Sequence, residues 1–244
     1  MTSKARWIRR FAALTMCVAI VVAAFPSMAM AGAGKGLPKN AGLTAWQKAV
    51  DARIDLRLAT LSSLKIAISG ATNLSSSDRS TLSALDASDI SGLTALKTKT
   101  DAETTVAAVK ADGRSMVVDY RIYMLVVPKV RFAIASDQET SVLAKLQSAH
   151  DKLASIATTL AGQGKDVGSE QAALADMAAK ISAAGSTLSG KASGLLAVQP
   201  SPDASAMTAA VSPVRTAVHG ARSDIKTALA DAKTAAAGLK SAAA

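Results

Sequence analysis

Cysteine, histidine and aromatic rings are scarce in this 244-residue chain, and each shortage excludes chemistry. There is one cysteine, Cys17, and there are two histidines, two tryptophans, two tyrosines and three phenylalanines. A lone thiol forms no disulfide within the chain, so the fold must stand on packing. Zinc asks for three or four nitrogen or sulfur ligands at workable spacing, which His150 and His219 do not supply. His150-Asp151 resembles a base with its orienter, but neighbouring helical residues point apart and no cysteine follows to serve as nucleophile. Both histidines read as surface residues.

Other motifs are equally bare. Asp86 and Asp89, in DASD, lack the alternating oxygen ligands and the glycine of a calcium loop and read as capping or solvated groups. GAGKG at 32–36 follows no strand and leads into no Gly-Lys-Ser/Thr, so it is no phosphate cradle. The tail ALADAKTAAAGLKSAAA is basic, but Asp231 interrupts its charge, as Asp224 does just upstream, and it has no aromatics for base stacking. The expectation is a protein that is not an enzyme, with no cofactor, no metal, no nucleic-acid partner and no evident small-molecule substrate.

What the chain does have begins at its N-terminus. Lys4, Arg6, Arg9 and Arg10 precede the apolar run FAALTMCVAIVVAAF, and Ala29-Met30-Ala31 follows it. A basic start, a short apolar middle and an A-x-A ending predict a signal peptide over 1–31, with cleavage near Ala31. An uncleaved anchor is the alternative, although the run falls short of the ~20 residues of an ordinary spanning helix. The whole chain carries 28 Lys and Arg against 18 Asp and Glu, a net +10. Loss of 1–31 leaves +6 and removes Cys17. Residues 32–42, GAGKGLPKNAG, read as a flexible linker.

Beyond Leu43 the apolar residues recur every three or four positions. Leu43, Val50, Ile54, Leu61, Leu64 and Ile68 form one stripe; Arg57 falls on it, with Leu58 as its substitute in the core. Ser75 with Asp78 resembles a capping box opening a second helix over Leu82, Leu85, Leu93 and Leu96, and Asp101 is the expected cap of a third. Val142 to Leu160 and Leu174 to Leu195 give two more stripes. Ser201-Pro202 and Ser212-Pro213 each resemble an N-cap followed by proline in the first turn, within one register from Met207 to Leu239.

DYRIYMLVVPKVRFAI, 119–134, stands apart, with both tyrosines, Phe132 and Pro128. Helical spacing runs through it, but residues 116–126 also alternate as a strand would, so periodicity leaves helix and hairpin open. Context favours the helix, because no other segment offers a strand to pair with. The expected fold is all-α: an elongated antiparallel, coiled-coil-like bundle. It divides into two tandem three-helix bundles, 43–127 and 128–244, with a kink at Pro128; a single long bundle is the alternative. Tyr120, Arg121, Tyr123, Lys129, Arg131 and Phe132 form a possible interaction patch, tyrosine and arginine being common at hot spots. The competing reading makes the tyrosines core.

ISGATNLSSSDRSTLSAL followed by DYRIYMLVVPKVRFAIASD resembles a group of secreted, Ala-rich helical proteins of high-GC bacteria, over about residues 45–160. The resemblance implies no activity and transfers no functional residue. Together these readings suggest an exported structural or interaction element of the cell envelope or extracellular space. Its expected partner is itself or another envelope protein. A cationic binder of anionic envelope polymers or lipid surfaces is the alternative.

Overall fold

The computed structural model describes residues 42–244. The expected signal peptide, and the linker up to residue 41, lie outside the described residues. Those residues are helical, with no strand among them. The elements are α1 (Leu43–Gly70), α2 (Ser76–Ala102), α3 (Val106–Val118), a π turn (Ile122–Val126), α4 (Val127–Gly162), α5 (Gly168–Leu188), α6 (Lys191–Ala197) and α7 (Ala204–Ala242). The strand reading of 116–126 is thereby set aside.

Two compact units are each gathered from separated stretches: 42–138 with 190–217, and 139–189 with 218–244. The sequence reading cuts the chain once, at 127/128; in the packed chain α4 and α7 each contribute to both units.

In the first unit α1 packs against α2 and α3, which also pack on each other. Val50, Ile54, Leu61, Leu64 and Ile68 are buried, as their spacing predicts. Arg79 closes the α1–α2 turn by donating to the carbonyls of Ile68, Ser69 and Ala71, oxygens a helix end leaves without partners. At the other end Gln47 reaches the carbonyls of Thr100, Asp101 and Glu103. Together they hold an antiparallel hairpin at both ends.

The Ser75 cap forms, its hydroxyl accepting from the Asp78 amide at 3.1 Å. The reciprocal half of the box does not. The Ser75 amide donates to Asp137 of α4 at 2.6 Å instead. Asp101 does not cap a third helix, because α2 continues through it; Thr105 caps α3, accepting from the Ala108 amide.

From α3 onward the chain runs back along α2 in nearly constant register. Lys99 pairs with Asp112, Gly92 faces Tyr120, and Ser75 meets Asp137. The rod is interrupted at Asp119–Val126 rather than at Pro128, which is the second residue of α4. In an α-helix the proline ring would meet the carbonyl one turn back. Here that turn is a wider π turn, with Val126 and Val127 donating five residues back to Arg121 and Ile122.

The second unit assembles residues 139–162 of α4, α5 and residues 218–242 of α7. Val142, Leu146, Leu153 and Leu160 face inward, with Leu174, Met177 and Ile181, and with Val218, Ile225 and Leu239. α5 and α7 are antiparallel: Lys180 pairs with Asp224 at 3.2 Å, and Gly220 sits beside Thr187 near the α5 end. Glu139 accepts from Arg222 at 2.6 Å, joining α4 to α7. α4 stops in a Schellman motif, with Lys165 donating to Leu160, Gly164 to Ala161, and Gly164 at φ 77°. The stripe expected to run from Leu174 to Leu195 is broken after Leu188, where Gly190 turns left-handed. Asp203, rather than Ser201 or Ser212, caps α7, accepting from the Ser205 and Ala206 amides; Pro213 lies inside that helix.

Gly92 offers a direct test of the register. A Cβ there would lie 2.5 Å from the Tyr120 hydroxyl and 2.8 Å from the ring carbon Cε1. Alanine gains about 1 kcal/mol of helix propensity, whereas forcing the ring aside costs about 1–3 kcal/mol. Gly92→Ala should therefore lower the melting temperature, and Tyr120→Leu in the same chain should recover much of the loss. Calorimetry of the two single variants and the double variant checks this.

Candidate functional site

The sequence-predicted patch does not gather on one exposed surface. Arg121 sits at φ 47°, the one positive φ outside glycine among the described residues. L-residues adopt this conformation only where surroundings enforce it. Its side chain is buried and donates to the carbonyls of Ser201 and Pro202. Lys129, also buried, donates to the Val198 carbonyl. Phe132 packs on the cluster of Leu125, Leu195, Met207, Val211 and Val214. Two cations and a ring thus fasten the stretch from α6 to α7. Arg131 is half-buried. Tyr123 is the exposed member at 39 %, and the Arg57 guanidinium lies 5.2 Å from its ring centroid. Arg57 thus makes a cation–π contact with that ring, and its neighbour Leu58 is half-buried.

Beside this elbow lies a group that the sequence reading placed elsewhere. Asp86 and Asp89 are neither capping nor solvated. They are buried at 3 % and 9 % relative exposure, in line with Leu82 and Leu93 on the inner side of α2. One oxygen of each, Asp86 Oδ1 and Asp89 Oδ2, has no hydrogen-bond partner. The spacing 82, 86, 89, 93 is a core stripe, and that was the available signal.

Burial, then the neighbouring Asp86 charge, pushes the Asp89 carboxyl up to about 6, against the pull of the Lys129 ammonium. Asp86 is raised by burial as well, with Lys65 opposing. Burial lowers Lys129, and Asp89 restores part of that loss. The Tyr120 hydroxyl is raised by burial and then by Asp119 and Asp89. The four groups face one another from α2, from the end of α3 and from the start of α4. One oxygen of each carboxyl is thus shut away from solvent without a partner, which is why burial heads the causes of both shifts. A third buried acid, Asp112, is satisfied: Lys99 donates to it, and the Thr100 hydroxyl does so at 3.3 Å.

His150 and His219 belong to the second unit. His150 Nδ1 lies 3.1 Å from Asp151 at the surface of α4. No group of three histidine, cysteine, aspartate or glutamate side chains among the described residues could hold a metal ion. No helix among them is long and apolar enough to cross a membrane. Comparison with family models, with curated proteins and with solved structures matches none of them.

A raised carboxyl means that the fold binds a proton more tightly than the unfolded chain does. The Asp89 contribution to stability is therefore fully favourable below about pH 4, declines as pH rises towards 6, and is adverse above it. Asp89→Asn should raise the melting temperature at pH 7.5 by several degrees and change it little at pH 4. Thermal melts at the two pH values check the sign.

Proposed function

We propose that this protein is an exported, non-enzymatic helical element that works by presenting helix faces to other proteins in the cell envelope or extracellular space. The observation that supports this is on α1. Leu56 and Ile66 point away from the core at 56 % and 72 % exposure, the two most exposed large apolar side chains described. Large apolar groups on a packed helix, away from its core seam, suit contact with another helix. The buried cations bear on the same reading. Arg121 and Lys129 hold backbone carbonyls within the chain. An antiparallel bundle bent near Pro128 belongs to the same proposal.

The cationic alternative draws on the net charge of +6 that remains after loss of 1–31. Two experiments separate the readings. Export predicts that the full chain, made in a bacterial host, is recovered outside the cytoplasm with the mass of residues 32–244. Intact chain retained in the cytoplasm overturns that part. The interaction part predicts that a photo-cross-linking residue at position 66 gives discrete protein adducts in cells, whereas one at exposed Lys226 gives few. Binding to anionic vesicles that weakens with salt and ignores changes at Leu56 and Ile66 would favour the cationic reading.

A further inference from the structure

We propose that the outer face of α1 pairs with the same face of a second copy of this chain, antiparallel, about a two-fold axis between Leu56 and Ala59. This rests on the helix-face reading above and adds the identity of the partner.

α1 carries two seams. The inner one holds the core. The outer one advances in alternating steps of four and three from Ala45 to Gly70, the rhythm of a coiled-coil seam, and contains no charged residue. Most of its residues are exposed, Ala49 being half-buried. α2 and α3 pack on α1, while Leu56 and Ile66 stay open.

The order of residues along the outer seam selects the occupant. Laid against itself antiparallel, the seam sets Ile66 opposite Ala49, Leu56 opposite Ala59, and Ala52 opposite Ser63. Each large side chain meets a small one, as close packing of two helices requires. A parallel pair would set Ile66 on Ile66 and Leu56 on Leu56 and leave gaps at every alanine. Antiparallel pairing also opposes the helix dipoles. An isologous contact of this kind needs a surface that is its own complement, and this one is.

The polar groups permit closure. The Ser63 hydroxyl donates to the Ala59 carbonyl at 3.0 Å, so it enters the seam already satisfied. The charges flanking the seam do not collide: in this register Lys48 lies opposite Ala67, Arg53 opposite Ser62, and Asp55 opposite Thr60. Asp55 is already paired with Lys97.

The contact is modest. A 28-residue helix is about 42 Å long, and a strip about 10 Å wide covers on the order of 400 Å² per copy. That lies below the usual range for stable complexes, so the dimer should be reversible, with a Kd on the order of tens of micromolar.

Sedimentation equilibrium on the full chain should show a monomer–dimer equilibrium. Leu56→Glu with Ile66→Glu should weaken it at least tenfold while leaving helicity and melting temperature unchanged. In a Cys17→Ser background, Ala52→Cys and Ser63→Cys chains should form disulfide dimers when mixed under mild oxidant, and neither should do so efficiently alone. Dimers of Ala52→Cys alone would show parallel pairing and overturn the proposal. A wild-type chain that stays monomeric at about 1 mM would overturn it too. In that case adducts from position 66 in cells would still support a different protein as partner, so the two readings fail separately.

Discussion

Close approach is the constraint on which the rest depends. With so few aromatic rings, the helices exclude water only by coming near one another, and glycine and alanine at the contacts make this possible. Gly92 admits the Tyr120 ring, and a Cβ at Gly113 would lie 3.2 Å from Val50. Thin contacts bury little apolar area, so polar bonds at the helix ends set where each rod stops. Arg79, Gln47, Arg121 and Lys129 all bind carbonyls that their helices or loops leave open. Long basic side chains lay their stems along apolar surface while their heads reach these oxygens. The basic excess is therefore partly structural.

The interior of the first unit is correspondingly polar for a helical core. Asp112 is neutralised by its neighbours, whereas Asp86 and Asp89 each keep an unbonded oxygen. A well-packed pair of leucines at these positions would serve stability better at neutral pH. The protein carries instead a pair whose charge state the surrounding helices control, in the same unit as Arg121, the one residue other than glycine that is left-handed among those described. Tyr120 and Lys129, whose charges act on Asp89 or feel it, lie on either side of Arg121 in the sequence.

The helical class and the α1 core stripe were legible because period and residue type agree there. The elbow was not, since Arg121 adopts its backbone conformation through bonds to Ser201 and Pro202, some eighty residues away. Pro128 carried the visible signal, but its ring is accommodated by the preceding turn. Asp86 and Asp89 were hidden by their type: charged residues on an inner stripe look like solvated ones until burial is seen. The Asp101 cap failed because α2 outlasts its apolar pattern, held at that end by Gln47. Of the candidate patch, Arg121, Lys129 and Phe132 are engaged within the chain in ways that spacing alone does not encode.

The Ser75 amide has a temporal implication. Its acceptor, Asp137, lies 62 residues downstream, where a self-contained cap would have found one three residues on. A nascent chain that ends before Asp137 has α1 and α2 in full yet lacks the carboxylate that completes the start of α2. The N-terminal hairpin is thus finished only when later sequence arrives, which ties its maturation to synthesis of the elbow and of Pro128.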